Sequence, residues 1–161
     1  MDLKKYKSEL ESVYENSAWI TKQLIEESGD LLNMGIEKIA SKMAEIVNNS
    51  TNEKKLTLIR CHPKLEGNVC GHKLTKFSEE EQKHAGLEKS STDEASAMEK
   101  LNDLYISKFN FPFIICVSNL DPPRIIQSME IRIKNSLEQE QSIAISEIHK
   151  IAKLRLAKIL K

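Results

Sequence analysis

Phe109-Asn110-Phe111-Pro112-Phe113-Ile114-Ile115-Cys116-Val117 contains three of the four phenylalanines in the chain and is its one long apolar run. The run has neither the spacing of an amphipathic helix nor the strict alternation of a half-buried strand. Pro112 lacks an amide hydrogen and biases Phe111 away from helical geometry, so the run is expected to begin extended. No second run of this kind exists for it to pair with. It therefore reads as a buried, non-helical segment inside a helical protein. Backbone groups that no helix or sheet engages are available to a ligand. That makes this segment a candidate pocket wall.

The flanking sequence is helical in pattern. Ser91-Thr92-Asp93-Glu94 has the spacing of a capping box and opens a helix to about Lys108, with Ala95, Met98, Leu101, Leu104 and Tyr105 as its expected inner face. Asp121-Pro122 joins an N-cap to a proline at the first helical position, and Ile125, Ile126, Met129 and Ile133 form that helix's stripe. Ser136-x-x-Gln139 caps a final helix whose buried face carries Ile148, Ile151, Ala152 and Ile159. Helical periodicity puts Arg155 in the middle of that face. An inward guanidinium is costly unless paired or bound to an anion. Arg155 is thus a structural ion pair, a snorkelling stem or an anion holder.

The N-terminal half continues the pattern. A short helix is expected over residues 2–12, and a second is capped by Ser17, with Trp19 in the core, and stopped by Ser28-Gly29-Asp30. Residues 35–48 give the clearest stripe, with Ile36, Ile39, Ala40, Met43, Ile46 and Val47 on one face. A helix over about 52–61 must end near His62, because Pro63 disfavours helical geometry before it. The negative end of that helix favours a protonated ring at His62, suited to donating a proton; an ordinary C-terminal cap is the plainer reading. Residues 64–77 read as irregular around Gly67 and Gly71, and Ser78-x-x-Glu81 then has capping-box spacing in a short helix that Gly86 ends. Capping accounts for Ser78 and Glu81 but not for Gln82. The fold expected is all-α: a single compact multi-helix domain over 1–161, with the extended segment 109–117 lining its site.

The 24 basic and 24 acidic side chains balance, and they are interspersed as on solvated helix faces, so nothing favours nucleic acid or an anionic membrane. No run approaches the ~20 apolar residues of a membrane span, and the first residues lack a signal-peptide core. Three cysteines do not suggest a disulfide framework, so a reducing, cytoplasmic setting is expected. Cys61-His62 and Cys70-x-His72 have zinc-ligand chemistry but poor zinc spacing, and no metal site is assigned. Cys61 and Cys116 sit in apolar sequence, where inert core cysteines are common. What remains is a polar set of His62, Ser78, Glu81, Gln82 and Arg155 beside the apolar wall. That set suits a cofactor-free lyase or isomerase acting on a small polar anion.

The same residues carry a family resemblance. Val13-Tyr14-Glu15-x-Ser17-x-Trp19, His62-Pro63-x-Leu65, Ser78-x-x-Glu81-Gln82-x-x-Ala85-Gly86-Leu87, Asn102-Asp103-x-Tyr105-x-x-Lys108-Phe109-x-Phe111-Pro112-Phe113-Ile114 and Ile151-Ala152-x-Leu154-Arg155-Leu156 follow in order along the chain. Together they resemble the 2-oxo-4-hydroxy-4-carboxy-5-ureidoimidazoline (OHCU) decarboxylases, which complete the conversion of urate to (S)-allantoin. Ala18 stands where the family usually has proline, and Asn110 where it usually has glycine; Asn tolerates a left-handed turn.

The resemblance implies an all-α, homodimeric enzyme with neither metal nor organic cofactor. By position, His62 resembles the proton donor and Arg155 the arginine of the last helix, with Glu81 completing the catalytic set. Pro63, Ser78, Gln82 and the segment Phe113, Ile114, Ile115, Cys116 and Val117 resemble substrate-binding positions. Two alternatives stand beside this reading: a non-catalytic helical interaction module, and a lyase acting on another ureido or hydantoin acid.

Overall fold

In the computed structural model, which describes residues 3–65 and 76–160, the apolar run interrupts an otherwise helical chain. The described residues form eight α-helices and no strand: α1 (Leu3–Glu11), α2 (Ala18–Glu27), α3 (Ile36–Asn48), α4 (Asn52–Cys61), α5 (Lys76–His84), α6 (Thr92–Phe109), α7 (Pro122–Arg132) and α8 (Leu137–Ile159). The all-α expectation holds. No helix among the described residues is long and apolar enough to cross a membrane.

Packing divides the chain into two compact units, Met1–Leu58 with Ile148–Lys161, and Ile59–Glu147. In the first, α1 packs on α2 and α2 on α3. The α3 stripe is as expected, with Ile39, Met43, Ile46 and Val47 buried. Leu10, Ile20, Leu24, Ile148, Ile151 and Leu156 of this unit are buried as well. Trp19 is half-buried instead of core, with Lys54 Nζ 4.8 Å from its ring centroid. A polar chain also crosses this unit: Tyr14 Oη lies 2.8 Å from His149 Nδ1, and His149 Nε2 lies 3.0 Å from Asn48 Oδ1. The amide oxygen only accepts, so Nε2 carries the hydrogen and Nδ1 accepts from Tyr14. Burial lowers the His149 pKa from its ordinary value.

In the second unit α6 packs on α7, and the expected caps form. Ser91 Oγ accepts from Glu94 N at 3.1 Å, while Glu94 Oε1 accepts from Ser91 N at 3.0 Å. Asp121 Oδ1 accepts from Arg124 N at 3.1 Å, and Ser136 and Gln139 reciprocate in the same way at the start of α8. The inner face of α6 differs from expectation. Met98, Asn102, Tyr105 and Phe109 are buried, whereas Leu104 is 50% exposed. Those four follow one stripe at steps of four, three and four; Leu104, one residue from Tyr105, is turned about 100° off it.

Phe109 is the last residue of α6 and Asn110 its cap, so the non-helical segment begins two residues later than expected. Asn110 takes the left-handed conformation (φ 60°, ψ 29°), and its N–H bonds Ile106 O at 2.8 Å. That turn releases the chain into residues 111–117, which join neither helix nor sheet. Phe111, Phe113, Ile114 and Val117 are buried; Ile115 and Cys116 are half-buried. The Tyr105 ring lies 4.6, 5.9 and 5.2 Å from those of Phe109, Phe111 and Phe113.

Candidate active site

The geometry starts at the end of α4. Pro63 stops the helix, and the His62 amide makes a last bond to Ile59 O at 3.2 Å. The ring is buried, with Nδ1 3.1 Å from Pro63 O. A carbonyl only accepts, so Nδ1 carries a hydrogen and donates it. Nε2 is then the nitrogen whose protonation separates the neutral ring from the cation.

α5 begins at Lys76, ahead of the expected start, so residues 76 and 77 are helical and not irregular. Ser78 is therefore the third helical residue and not an N-cap, and the capping-box reading of Ser78 and Glu81 does not hold. A cap precedes the first turn with non-helical backbone, and Ser78 does neither. Ser78 is buried, Glu81 and Gln82 are half-buried, and Glu79 and Lys83 are exposed. Steps of three and four put Ser78, Glu81 and Gln82 on one face. Gly86, at φ 74°, turns the chain after the helix as expected.

Two hydrogen bonds tie the turn at His62 to its neighbours. Gln82 Nε2 donates to Lys64 O at 3.3 Å, joining the α5 face to the residues just after Pro63. Arg60 Nε donates to Asn110 O at 3.4 Å, joining the end of α4 to the head of the extended segment. Three of the pieces singled out from sequence are thus linked inside the unit Ile59–Glu147. Within the segment, the amides of Phe113, Ile114, Ile115 and Val117 donate to no acceptor among the described residues.

Arg155 lies in the other unit. Its Nη2 sits 2.8 Å from Glu15 Oε1, and its Nη1 donates to Val13 O at 3.2 Å, with both side chains almost fully buried. This inward arginine thus forms a buried ion pair, one of the three arrangements expected for it. Of the possible zinc ligands, Cys70 and His72 lie outside the described residues. Among the described residues no three His, Cys, Asp or Glu side chains gather as a metal group. An open cavity of about 500 Å³ lined by Asn135, Glu138, Gln139, Ser142 and Ile143 contains none of the predicted residues.

Sequence reasoning missed a second buried charge cluster. Arg132 Nε lies 3.0 Å from Glu140 Oε1, Tyr105 Oη donates to the same oxygen at 2.6 Å, and Asn135 Nδ2 donates to Glu140 Oε2 at 2.9 Å. Burial first, then the Glu140 bond and charge, raise the Tyr105 hydroxyl pKa well above its ordinary value. The signal was available: Arg132 is seven residues after Ile125 on the α7 stripe, and Glu140 is eight before Ile148. Like Arg155, both are charged residues on a helix's apolar face.

A model of the OHCU decarboxylase family matches residues 1–157. A 2-oxo-4-hydroxy-4-carboxy-5-ureidoimidazoline decarboxylase of Halalkalicoccus jeotgali is 34% identical over 158 residues, which cover 98% of this chain and 86% of that protein. The uric acid degradation bifunctional protein of a Bacillus species (strain TB-90) is 36% identical over 94% of this chain, which spans only 29% of that longer protein. The crystal structure of an OHCU decarboxylase in the presence of (S)-allantoin superposes with a TM-score of 0.75 at 26% identity, covering 94% of this chain and 97% of that one. An (S)-allantoin synthase structure gives 0.75 at 28% identity, covering 95% of this chain and 49% of that one.

Proposed function

The chain belongs to the OHCU decarboxylase family, and from that premise we propose that it removes CO2 from OHCU and protonates the product on one face to give (S)-allantoin. The observation that carries the reading is the turn bearing His62, bonded on one side to the α5 face and on the other to the extended segment. Proton donor, polar face and uncommitted amides are the parts this reaction needs.

OHCU bears its carboxylate on a ring carbon beside a C=N group. As the bond to the carboxylate breaks, its electron pair passes toward that group, so the substrate contains its own electron sink and no cofactor is called for. The enol-like intermediate must then release its hydroxyl proton, which leaves the carbonyl of allantoin, and gain a proton at carbon. His62 supplies that proton from Nε2, while its Nδ1–H on Pro63 O holds the ring plane. Glu81 orients His62 or the substrate hydroxyl, and Ser78 and Gln82 bind ring and ureido groups. Pro63 and the segment Phe113–Val117 line the ring, where buried amides answer developing negative charge on oxygen or nitrogen. The assignment of Arg155 to a substrate oxygen rests on the family pattern, while the protein itself pairs the side chain with Glu15 and Val13. A homodimer and a cytoplasmic location belong to the same reading; sedimentation velocity at twice the chain mass is the expected result for the first.

The test generates OHCU from urate with uricase and hydroxyisourate hydrolase and follows its loss by absorbance. Wild-type protein should accelerate the loss, and His62→Asn should abolish the acceleration while keeping a cooperative thermal transition. A fully active His62→Asn would remove His62 from the mechanism. A folded wild-type protein that neither accelerates the loss nor gains thermal stability with allantoin would favour the interaction-module reading.

A further inference from the structure

The buried pair Arg132 and Glu140 has no part in the chemistry above, yet it grips the wall of the site. The Arg132 guanidinium carbon lies 4.3 Å from the Phe113 ring centroid, and its Nη1 donates to Ile114 O at 2.7 Å. Its Nε is held by Glu140, which is 0% exposed and is itself fixed by Tyr105 and Asn135. Stability alone does not account for an arginine here. A buried ion pair is commonly no better than apolar packing. Moreover, Arg132 Nη2 is buried and meets no acceptor among the described residues, an added cost.

The peptide unit gives the pair a different use. In a trans peptide the carbonyl of one residue and the amide of the next point in opposite directions within one plane. Holding the Ile114 carbonyl therefore fixes the direction of the Ile115 N–H, aimed away from Arg132. Ile115 is half-buried, and its amide donates to no acceptor among the described residues. We infer that Arg132 is a positioning residue that sets the Ile115 amide as a hydrogen-bond donor to the substrate. Glu140 locks the guanidinium and Tyr105 locks Glu140. This rests on the proposed decarboxylase reading, in which the segment lines the ring.

Arg132→Lys tests it. Lysine keeps a cation for Glu140 but lacks the fork that serves Glu140 and Ile114 O together. The expected result is a folded variant whose KM for OHCU rises and whose kcat/KM falls by roughly tenfold, the worth of about one hydrogen bond, with a smaller excess of (S)-allantoin. Hydrogen exchange across 113–117 should quicken in parallel. Tyr105→Phe withdraws one donor from Glu140 and should move KM the same way by less; it carries the test if Arg132→Lys does not fold. A lowered Tm with unchanged KM and unchanged product chirality would reduce the pair to a structural one and overturn the inference. Wild-type protein inert toward OHCU would overturn the decarboxylase reading and the positioning role together. An active wild type with indifferent variants overturns the positioning role alone.

Discussion

Arg155 and Glu15 form an ion pair with 1% and 0% side-chain exposure, and at that depth the partners stand or fall together. Removing one takes the paired charge away from the other, a loss that for buried pairs costs roughly 3–5 kcal/mol. Arg155→Met should lower stability by about that much in urea unfolding, and Arg155→Met with Glu15→Gln should recover most of it. The same pair of variants separates two roles for the arginine. Stability restored without turnover supports the anion-holding assignment; both restored together would leave Arg155 purely structural. His149 gives a second test at this scale. Its pKa is lowered in the folded protein below the ordinary 6.5, so the unfolded chain binds the proton more readily. Its contribution to stability is present above pH 6.5 and is lost as pH falls below that value. Tm should therefore decline on acidification, and His149→Gln, which keeps an acceptor toward Tyr14, should flatten that decline.

The helices follow from short-range rules, and this is where sequence was most informative. Capping boxes at Ser91 and Ser136 and the Asp121-Pro122 start all form where the residue types demanded. Asp121→Ala removes one acceptor from the first turn of α7 and should cost about 1 kcal/mol in thermal unfolding. It should leave KM unchanged, since nothing in the proposed chemistry uses Asp121. The misreadings have a common cause. Ser78-x-x-Glu81 satisfies a local motif, but α5 starts earlier, so the same spacing places those residues on a helix face and not at its end. Leu104 has a core residue's chemistry and Asn102 does not, yet the stripe through Tyr105 buries Asn102. Tyr105 is turned inward by its bond to Glu140, 35 residues away, and a local pattern contains no trace of that partner. The candidate site was readable as a set of residue types and as a resemblance. The bonds from Gln82 and Arg60 that join its pieces were not, because both end on backbone carbonyls whose side chains give no sign of the contact.

At the scale of the whole molecule, the candidate residues fall into two units. The unit Ile59–Glu147 contains the His62 turn, the α5 face, the extended segment and the charged cluster that braces it. The unit Met1–Leu58 with Ile148–Lys161 contains the Arg155 and Glu15 pair. A run whose amides at Phe113, Ile114, Ile115 and Val117 meet no acceptor among the described residues is costly to fold unless those amides bind something, which ties the segment to the proposed reaction. In the proposed reaction this chain delivers a proton to one face of the decarboxylated intermediate. That delivery is tested most directly by the chirality of the allantoin formed when the protein acts on freshly generated OHCU, read by circular dichroism as the reaction completes. An excess of (S)-allantoin with wild type, lost with His62→Asn, is the predicted result. A racemic product at the unassisted rate, from protein with intact helical structure, would contradict it.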